Sequence, residues 1–269
     1  MIQTNDKSRG SCPAAHGWGW ASSIKRRLQI WSDSGLDLLY PPHCSFCQAE
    51  LFPRTSRRLC EPCDLRLAPA LGRLCEMCGT PLPDHLPAAD CPQCRQQPLK
   101  LRRVFPLGIY RDDLQEAVIR MKHRWHDNLT VSVGKLMIER MENQWVAQRP
   151  DWVVPIPMFW TRRIVRGTNS AELLSEVIAS HLRVPLARRM LKFCFNIKKQ
   201  GMLTPRERFI NVRGALSLSK GYDIRAASIL LVDDVMTTGA TVSEAARILR
   251  KAGADRVSVT VAARAAGNR

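Results

Sequence analysis

The stretch 229–241, Ile-Leu-Leu-Val-Asp-Asp-Val-Met-Thr-Thr-Gly-Ala-Thr, sets the fold. Ile229, Leu230, Leu231 and Val232 run without a polar break into the paired acids Asp233 and Asp234. An apolar strand lacking alternation belongs to a parallel sheet covered on both faces, and ligands of such sheets collect at the carboxyl ends of the strands. That is where the two acids fall.

The residues after them have the composition of a phosphate cradle. Thr237, Thr238 and Thr241 supply hydroxyls, Gly239 frees the backbone between Met236 and Ala240 to turn its amides toward an anion, and a helix beginning near Thr241 adds the positive end of its dipole. Carboxylates beside such a loop suit a sugar phosphate, since they accept from ribose hydroxyls and can hold Mg²⁺ through water. No Lys precedes the last Thr, so the Walker pattern is absent. Val242, Ala245, Ala246, Leu249 and Ala252 then recur at helical spacing, Arg250 and Lys251 occupy the last turn, and Gly253 stands where a C′ residue is expected. Val257, Val259 and Val261 alternate as in a strand, which predicts a β-α-β unit of the usual right-handed kind.

Asp233-Asp234 followed by Thr237-Thr238-Gly239-Ala240-Thr241 after an apolar strand resembles the phosphoribosyl pyrophosphate (PRPP) motif of type I phosphoribosyltransferases. A second segment fits the same scheme. Trp152-Val153-Val154-Pro155-Ile156-Pro157 reads as a buried strand ending in a stiff loop, followed by Arg162, Arg163, Arg166 and Gly167. Asn169 as N-cap with Glu172 three residues on opens a helix whose Leu173, Leu174, Val177 and Ile178 share one side. A basic loop between a strand end and a helix start can bind an anion, or it is simply solvated. The resemblance implies that it holds pyrophosphate, through Arg162, Arg163 and Arg166.

Eight of the ten cysteines form four Cys-x2-Cys pairs: Cys44/Cys47, Cys60/Cys63, Cys75/Cys78 and Cys91/Cys94. Two residues between thiolates let one tight turn aim both sulfurs at a tetrahedral ion, and a second turn completes a four-thiolate site. Two structural Zn²⁺ ions follow, with the first two pairs on one ion and the last two on the other, or with the pairs crossed. A full shell of thiolates leaves no open position for catalysis. Disulfides are the alternative, but nothing directs the chain to an oxidising compartment. Apolar residues are sparse between the pairs, so metal binding must supply much of the module's folding free energy. Cys12 and Cys194 lack partners and are expected in a floppy tail and in a core respectively.

The chain has 269 residues and a formal charge of +17, enough for an α/β core and a second module. Residues 151–269 hold 20 Lys and Arg against 9 Asp and Glu, so the excess lies mainly on the half with the phosphate loop. A polyanionic ligand or a nucleic-acid surface would produce this, as would basic residues kept for solubility. No stretch approaches the roughly 18 apolar residues that span a bilayer, and residues 1–22 lack a secretory apolar core. A cytoplasmic protein without membrane insertion is expected, with residues 1–20 disordered and Ile24, Leu28 and Trp31 on a short amphipathic helix.

The Cys-pair module, Val154-Pro155-Ile156-Pro157, Arg166-Gly167-x-Asn169, the Asp233-Asp234 loop and Leu38-Leu39-Tyr40-Pro41-Pro42-His43-Cys44 together resemble the ComF family, the double-zinc-ribbon phosphoribosyltransferases. The resemblance covers about residues 36–265. It implies three segments: an N-terminal extension over 1–35, a double zinc ribbon over 36–98, and a type I phosphoribosyltransferase fold over 99–269, with a central parallel sheet, flanking helices and a small hood. The hood is expected from residues 101–125 and parts of 190–215. The family's apolar segment ending in Lys is matched by Val118-Ile119-Arg120-Met121-Lys122, and its Gln, Glu-Arg and Asn by Gln200, Glu207-Arg208 and Asn211, which adds Lys122, Gln200 and Arg208 to the candidate PRPP contacts.

There are departures. The family reads Arg-Gly-Phe-Asn-Gln where this chain has Thr168 and Ser170, and carries cations and a hydroxyl where this chain has Phe193, Phe195 and Ile197. The resemblance implies displacement at the anomeric carbon of PRPP with Mg²⁺, by transfer to an acceptor or by hydrolysis, with Asp233 and Asp234 holding the ribose and residues 237–241 the 5′-phosphate. It equally implies a DNA-uptake role, with single-stranded DNA and competence-machinery proteins as partners. His123 and His126 are expected to face solvent or pack rather than act as a base, and aromatic stacking platforms are not obvious.

Overall fold

The structure, a computed structural model, describes residues 41–52, 55–159, 164, 167–197 and 203–265. Its strands are β1 Val104–Ile109, β2 Trp152–Pro155, β3 Leu191–Phe193, β4 Leu216–Leu218, β5 Ser228–Met236 and β6 Arg256–Arg264. The helices are α1 Glu61–Leu67, α2 Pro92–Gln96, α3 Asp112–Met121, α4 Asp127–Gln148, α5 Ser170–Leu182, α6 Pro205–Val212 and α7 Ala240–Lys251. Four strands form a wholly parallel sheet in the order β1-β6-β5-β2, and β3 and β4 form a separate antiparallel pair. The expected disorder over 1–20, the Ile24-Leu28-Trp31 helix, Leu38-Leu39-Tyr40 and Cys12 lie outside the described residues.

The strand-helix-strand reading of 229–261 holds: β5 and β6 are parallel neighbours joined through α7, whose Val242, Ala245, Ala246 and Leu249 are buried. One refinement concerns β6. The valines alternate, yet every residue from Val257 to Arg264 is buried, because Ser258, Thr260 and Ala262 face a second core rather than solvent. The Thr260 hydroxyl is satisfied there by donating to the Phe105 carbonyl at 3.1 Å.

The two faces carry separate cores. On one, Phe105, Leu107, Val153, Leu230, Val232 and Ala262 pack against α3, α4 and α5. On the other, Val104, Val154, Ile229, Leu231, Val257 and Val261 pack against α7 and the β3–β4 pair. Each cysteine module belongs to one of these cores. The first contributes Phe46, Leu51, Leu59 and Leu67 to the first core, and the second contributes Leu82 and Leu99 to the other. At about 1.5–3 kcal/mol for each large side chain buried, the ribbons and the sheet stabilise one another.

Polar bonds fix the same junctions. Ser132 donates to the Ser45 hydroxyl at 3.0 Å, Lys135 to the Ser56 carbonyl at 2.7 Å and Arg120 to the Phe46 carbonyl at 2.8 Å. The Val104 amide, at the start of β1, donates to the Glu76 carbonyl of the second module at 2.8 Å.

The hood expectation needs correction. Residues 101–125 are not a hood: they contain the edge strand β1 and the helix α3, both built into the main sheet's core. The small lobe comes from the later segment alone. β3, β4 and α6 gather Ile197, Val212 and Ala215 with Phe193 and Phe209 around Ala240 at the start of α7.

Candidate functional site

β5 outruns its neighbour. β2 pairs with it only as far as Pro155 opposite Val232, whereas β6 stays paired to Met236 opposite Arg264. Asp233 and Asp234 thus lie within the strand rather than after it, on the part whose β2 side is open. Main-chain pairing to β6 holds them, and among the described strands none pairs with their other edge.

The acids are tied locally. The Asp234 amide donates to Asp233 Oδ1 at 2.9 Å, the Val235 amide to Asp234 Oδ1 at 2.7 Å, and the Ser170 hydroxyl to Asp234 Oδ2 at 3.0 Å. Burial, reinforced by the charge of Asp234, pushes the Asp233 carboxyl well above the usual range, and the Lys122 cation works in the opposite direction. Lys122, the C-cap of α3, is thus near enough to act on Asp233 through its charge.

Asn169 is the N-cap of α5, as its sequence position implies, but its side chain makes no capping bond. Its Nδ2 is buried with no hydrogen-bond partner among the described residues. Next to it, Ser170 is buried and bonded to Asp234, and neither role could be seen in the sequence. An orphaned buried donor costs about 1–3 kcal/mol, which an acceptor oxygen reaching it would relieve.

Beyond the acids, residues 236–241 act mainly through their backbone. Met236 and Ala240 point into the cores, while Thr237, Thr238 and Thr241 are part-exposed. Gly239, with φ of 81°, is the N-cap of α7, and the Ala240 amide reaches the Thr238 hydroxyl at 3.4 Å. A Cβ on Gly239 would lie 2.8 Å from Met236 Cε and 3.0 Å from Leu99 Cδ2. Gly239→Ala is expected to cost about 1–2 kcal/mol from the left-handed backbone alone, read as a lower denaturant midpoint with an unchanged slope.

Other predicted contacts divide. Arg162, Arg163, Arg166 and Gln200 lie outside the described residues. Arg208 sits on α6 and donates from Nε to the Leu203 carbonyl at 3.0 Å, so its guanidinium is engaged at its own helix start. Gly167, with φ of 73°, packs against the Arg124 side chain. Of the departures, Phe193 and Ile197 belong to the small lobe's packing, Phe195 is exposed and Thr168 is buried. His123 is exposed and His126 half-buried.

The thiols gather sequentially, Cys44, Cys47, Cys60 and Cys63 in one set and Cys75, Cys78, Cys91 and Cys94 in the other, each within 4.8 Å of one another. Sulfur separations of 3.6 Å for Cys47–Cys60, 3.7 Å for Cys75–Cys94 and 3.6 Å for Cys78–Cys91 are close to the tetrahedron edge that Zn–S bonds of about 2.3 Å require. Burial opposes ionisation of Cys44, but the amides of Cys47, Cys60 and Phe46 bring it down to about 7. Burial and the sulfurs of Cys78 and Cys75 push Cys94 up. Such mutual resistance is what a divalent cation removes. Cys194, expected in a core, is instead exposed.

Among known proteins, the double zinc ribbon domain family matches residues 35–96 and the phosphoribosyl transferase domain family matches residues 168–269. Competence protein F of Haemophilus influenzae is 28% identical over 195 residues, covering 71% of this chain and 84% of that protein. DNA utilization protein YhgH of Salmonella typhimurium is 28% identical over 189 residues, covering 69% and 82%. Competence protein ComFC of Bacillus subtilis is 29% identical over 203 residues, covering 74% and 81%. None of the described helices is long and apolar enough to cross a membrane.

Proposed function

We propose, from the premise that this chain is a ComF-family protein with a double zinc ribbon joined to a phosphoribosyltransferase domain, that it binds PRPP with Mg²⁺ and transfers or hydrolyses the phosphoribosyl group. The observation that carries this reading is the pair Asp233-Asp234 on the open-sided end of β5, leading straight into the Gly239-capped start of α7. The buried, unpartnered Asn169 Nδ2 supports it, as a donor awaiting a ligand oxygen.

In this reading Asp233 and Asp234 accept from the ribose hydroxyls and the amides of 237–241 take the 5′-phosphate. Arg162, Arg163 and Arg166 take the pyrophosphate, with Gln200 and Arg208 as further candidate contacts. Mg²⁺ held with PRPP supplies charge neutralisation to the leaving group. The bond from the anomeric carbon to pyrophosphate breaks with its electron pair on the oxygen, and a bond to the acceptor or water forms. Catalysis is then mostly positioning and charge neutralisation. The Lys122 cation works against the burial that resists ionisation of Asp233. Calorimetric titration with PRPP plus Mg²⁺ should give one site per chain, and pyrophosphate release should be sought with and without nucleobases. A flat titration with Mg²⁺ present overturns the reading.

A second reading, handling of single-stranded DNA beside the competence machinery, has its own observation. Trp125 is 82% exposed, and the Arg124 guanidinium lies 5.0 Å over its ring, next to Gly167. In this reading Trp125 would serve as a platform on which a base stacks. Trp125→Ala is expected to weaken binding of a labelled single strand by about 5- to 150-fold, the equivalent of roughly 1–3 kcal/mol per stacked base, with a steep salt dependence in both proteins. Equal anisotropy curves for the two would exclude the platform.

A further inference from the structure

Arg264, the last residue of β6, is among the largest fully buried side chains, 1% exposed. Its guanidinium spends every nitrogen. Nε donates to the Cys78 carbonyl at 2.6 Å, NH1 to the Met236 carbonyl at 3.1 Å and also to the Thr237 and Ala265 carbonyls, and NH2 to the Thr80 hydroxyl at 3.2 Å. Thr80 Oγ1 in turn lies 3.3 Å from the Cys78 sulfur. One side chain thus grips the second thiol set and the loop after the acid pair.

All five partners are neutral, and among the described residues no carboxylate is in ion-pair range of Arg264. A buried, unpaired cation is costly. Thr80 links the guanidinium to the Cys78 sulfur, and a zinc ion in four thiolates would make that set doubly negative. The other end has a geometric consequence. In a trans peptide the carbonyl and the next amide point opposite ways, so holding the carbonyls of 236 and 237 against Arg264 turns the amides of 237 and 238 away from it.

We propose that Arg264 is a positioning residue that couples the second zinc site, and not the first, to the phosphate loop: the zinc-thiolate charge holds the guanidinium, and the guanidinium holds the loop's amides outward. The value of those amides to a phosphate rests on the PRPP reading above; the coupling itself does not. Lys cannot replace the fork, having three donors at one point instead of five in a plane.

The test uses the full, zinc-loaded chain without PRPP. Thiol alkylation in the presence of a chelator, mapped by mass spectrometry, reads each cysteine set separately, and amide exchange of the segment 233–246 reads the loop. Arg264→Met should speed alkylation of Cys75, Cys78, Cys91 and Cys94 at least about tenfold, leave the Cys44 set within about twofold, and speed exchange of 233–246. Arg264→Lys, which keeps the cation and loses the fork, should leave both sets slow while the segment still exchanges fast. Unchanged alkylation and exchange in Arg264→Met, or an equal rise in both sets, overturns the coupling. Should Arg264→Met fail to fold, a segment in Arg264→Lys as protected as in the parent does so. A parent that binds no PRPP sinks the function proposed above and leaves these outcomes intact.

Discussion

Asp233→Asn should raise the thermal midpoint of the free protein at neutral pH and abolish binding of PRPP with Mg²⁺. Burial and the Asp234 charge lift the folded-state pKa of Asp233 above its unfolded value. Between those two values the native state holds more protons than the unfolded one, so stability falls as pH rises through that window. The Asp233 carboxyl therefore costs stability as pH rises through that window, a cost the isosteric amide removes, at about 2–4 °C in Tm per kcal/mol recovered. The parent should gain stability on mild acidification and the variant should not, as a pH series of melts would record. Binding moves the other way, because each lost charged hydrogen bond to a ribose hydroxyl removes about 1.5–3 kcal/mol. A variant that melts lower than the parent and still binds would refute both halves.

Stripping zinc should open the sheet faces that the ribbons cover and not the ribbons alone. Structural zinc contributes about 10–16 kcal/mol at neutral pH, comparable to the entire stability of a domain at about 5–15 kcal/mol. Because Phe46, Leu51, Leu59 and Leu67 sit in one sheet-face core and Leu82 and Leu99 in the other, a loosened ribbon opens a face of the sheet. Chelator-treated protein followed by circular dichroism should lose sheet signal together with ribbon thiol protection, reversed by adding zinc. A body that keeps its melting transition after two zinc ions are gone would contradict this.

Much of this architecture was legible because period and spacing are local signals. The β5 strand, the amphipathic α7 and the four Cys-x2-Cys pairs are each specified within a dozen or so residues, and sequential cysteine pairing follows the repeat. β1 was missed as a sheet strand because Pro106 and Gly108 interrupt it. Pro is tolerated at an edge, which is where β1 lies, and Gly108 is required because a Cβ there would come 2.4 Å from Leu114 Cδ2. Ser170 on Asp234, Lys122 beside Asp233 and Arg264 at Cys78 are meetings of distant segments. No window of sequence contains them.

The sheet order also dictates how a nascent chain acquires its structure. β6, made last of the six strands, lies between β1 and β5, and its pairing of Val104 with Val259 closes a very long loop. Neither face has a complete floor until residues 256–264 exist, so the two ribbons emerge early, able to take up metal but with their apolar sides uncovered. A topology so rich in non-local pairings is expected to fold slowly, with apolar surface uncovered until β6 is made. Cleavage between α7 and β6 would leave β1 and β5 without the strand that joins them.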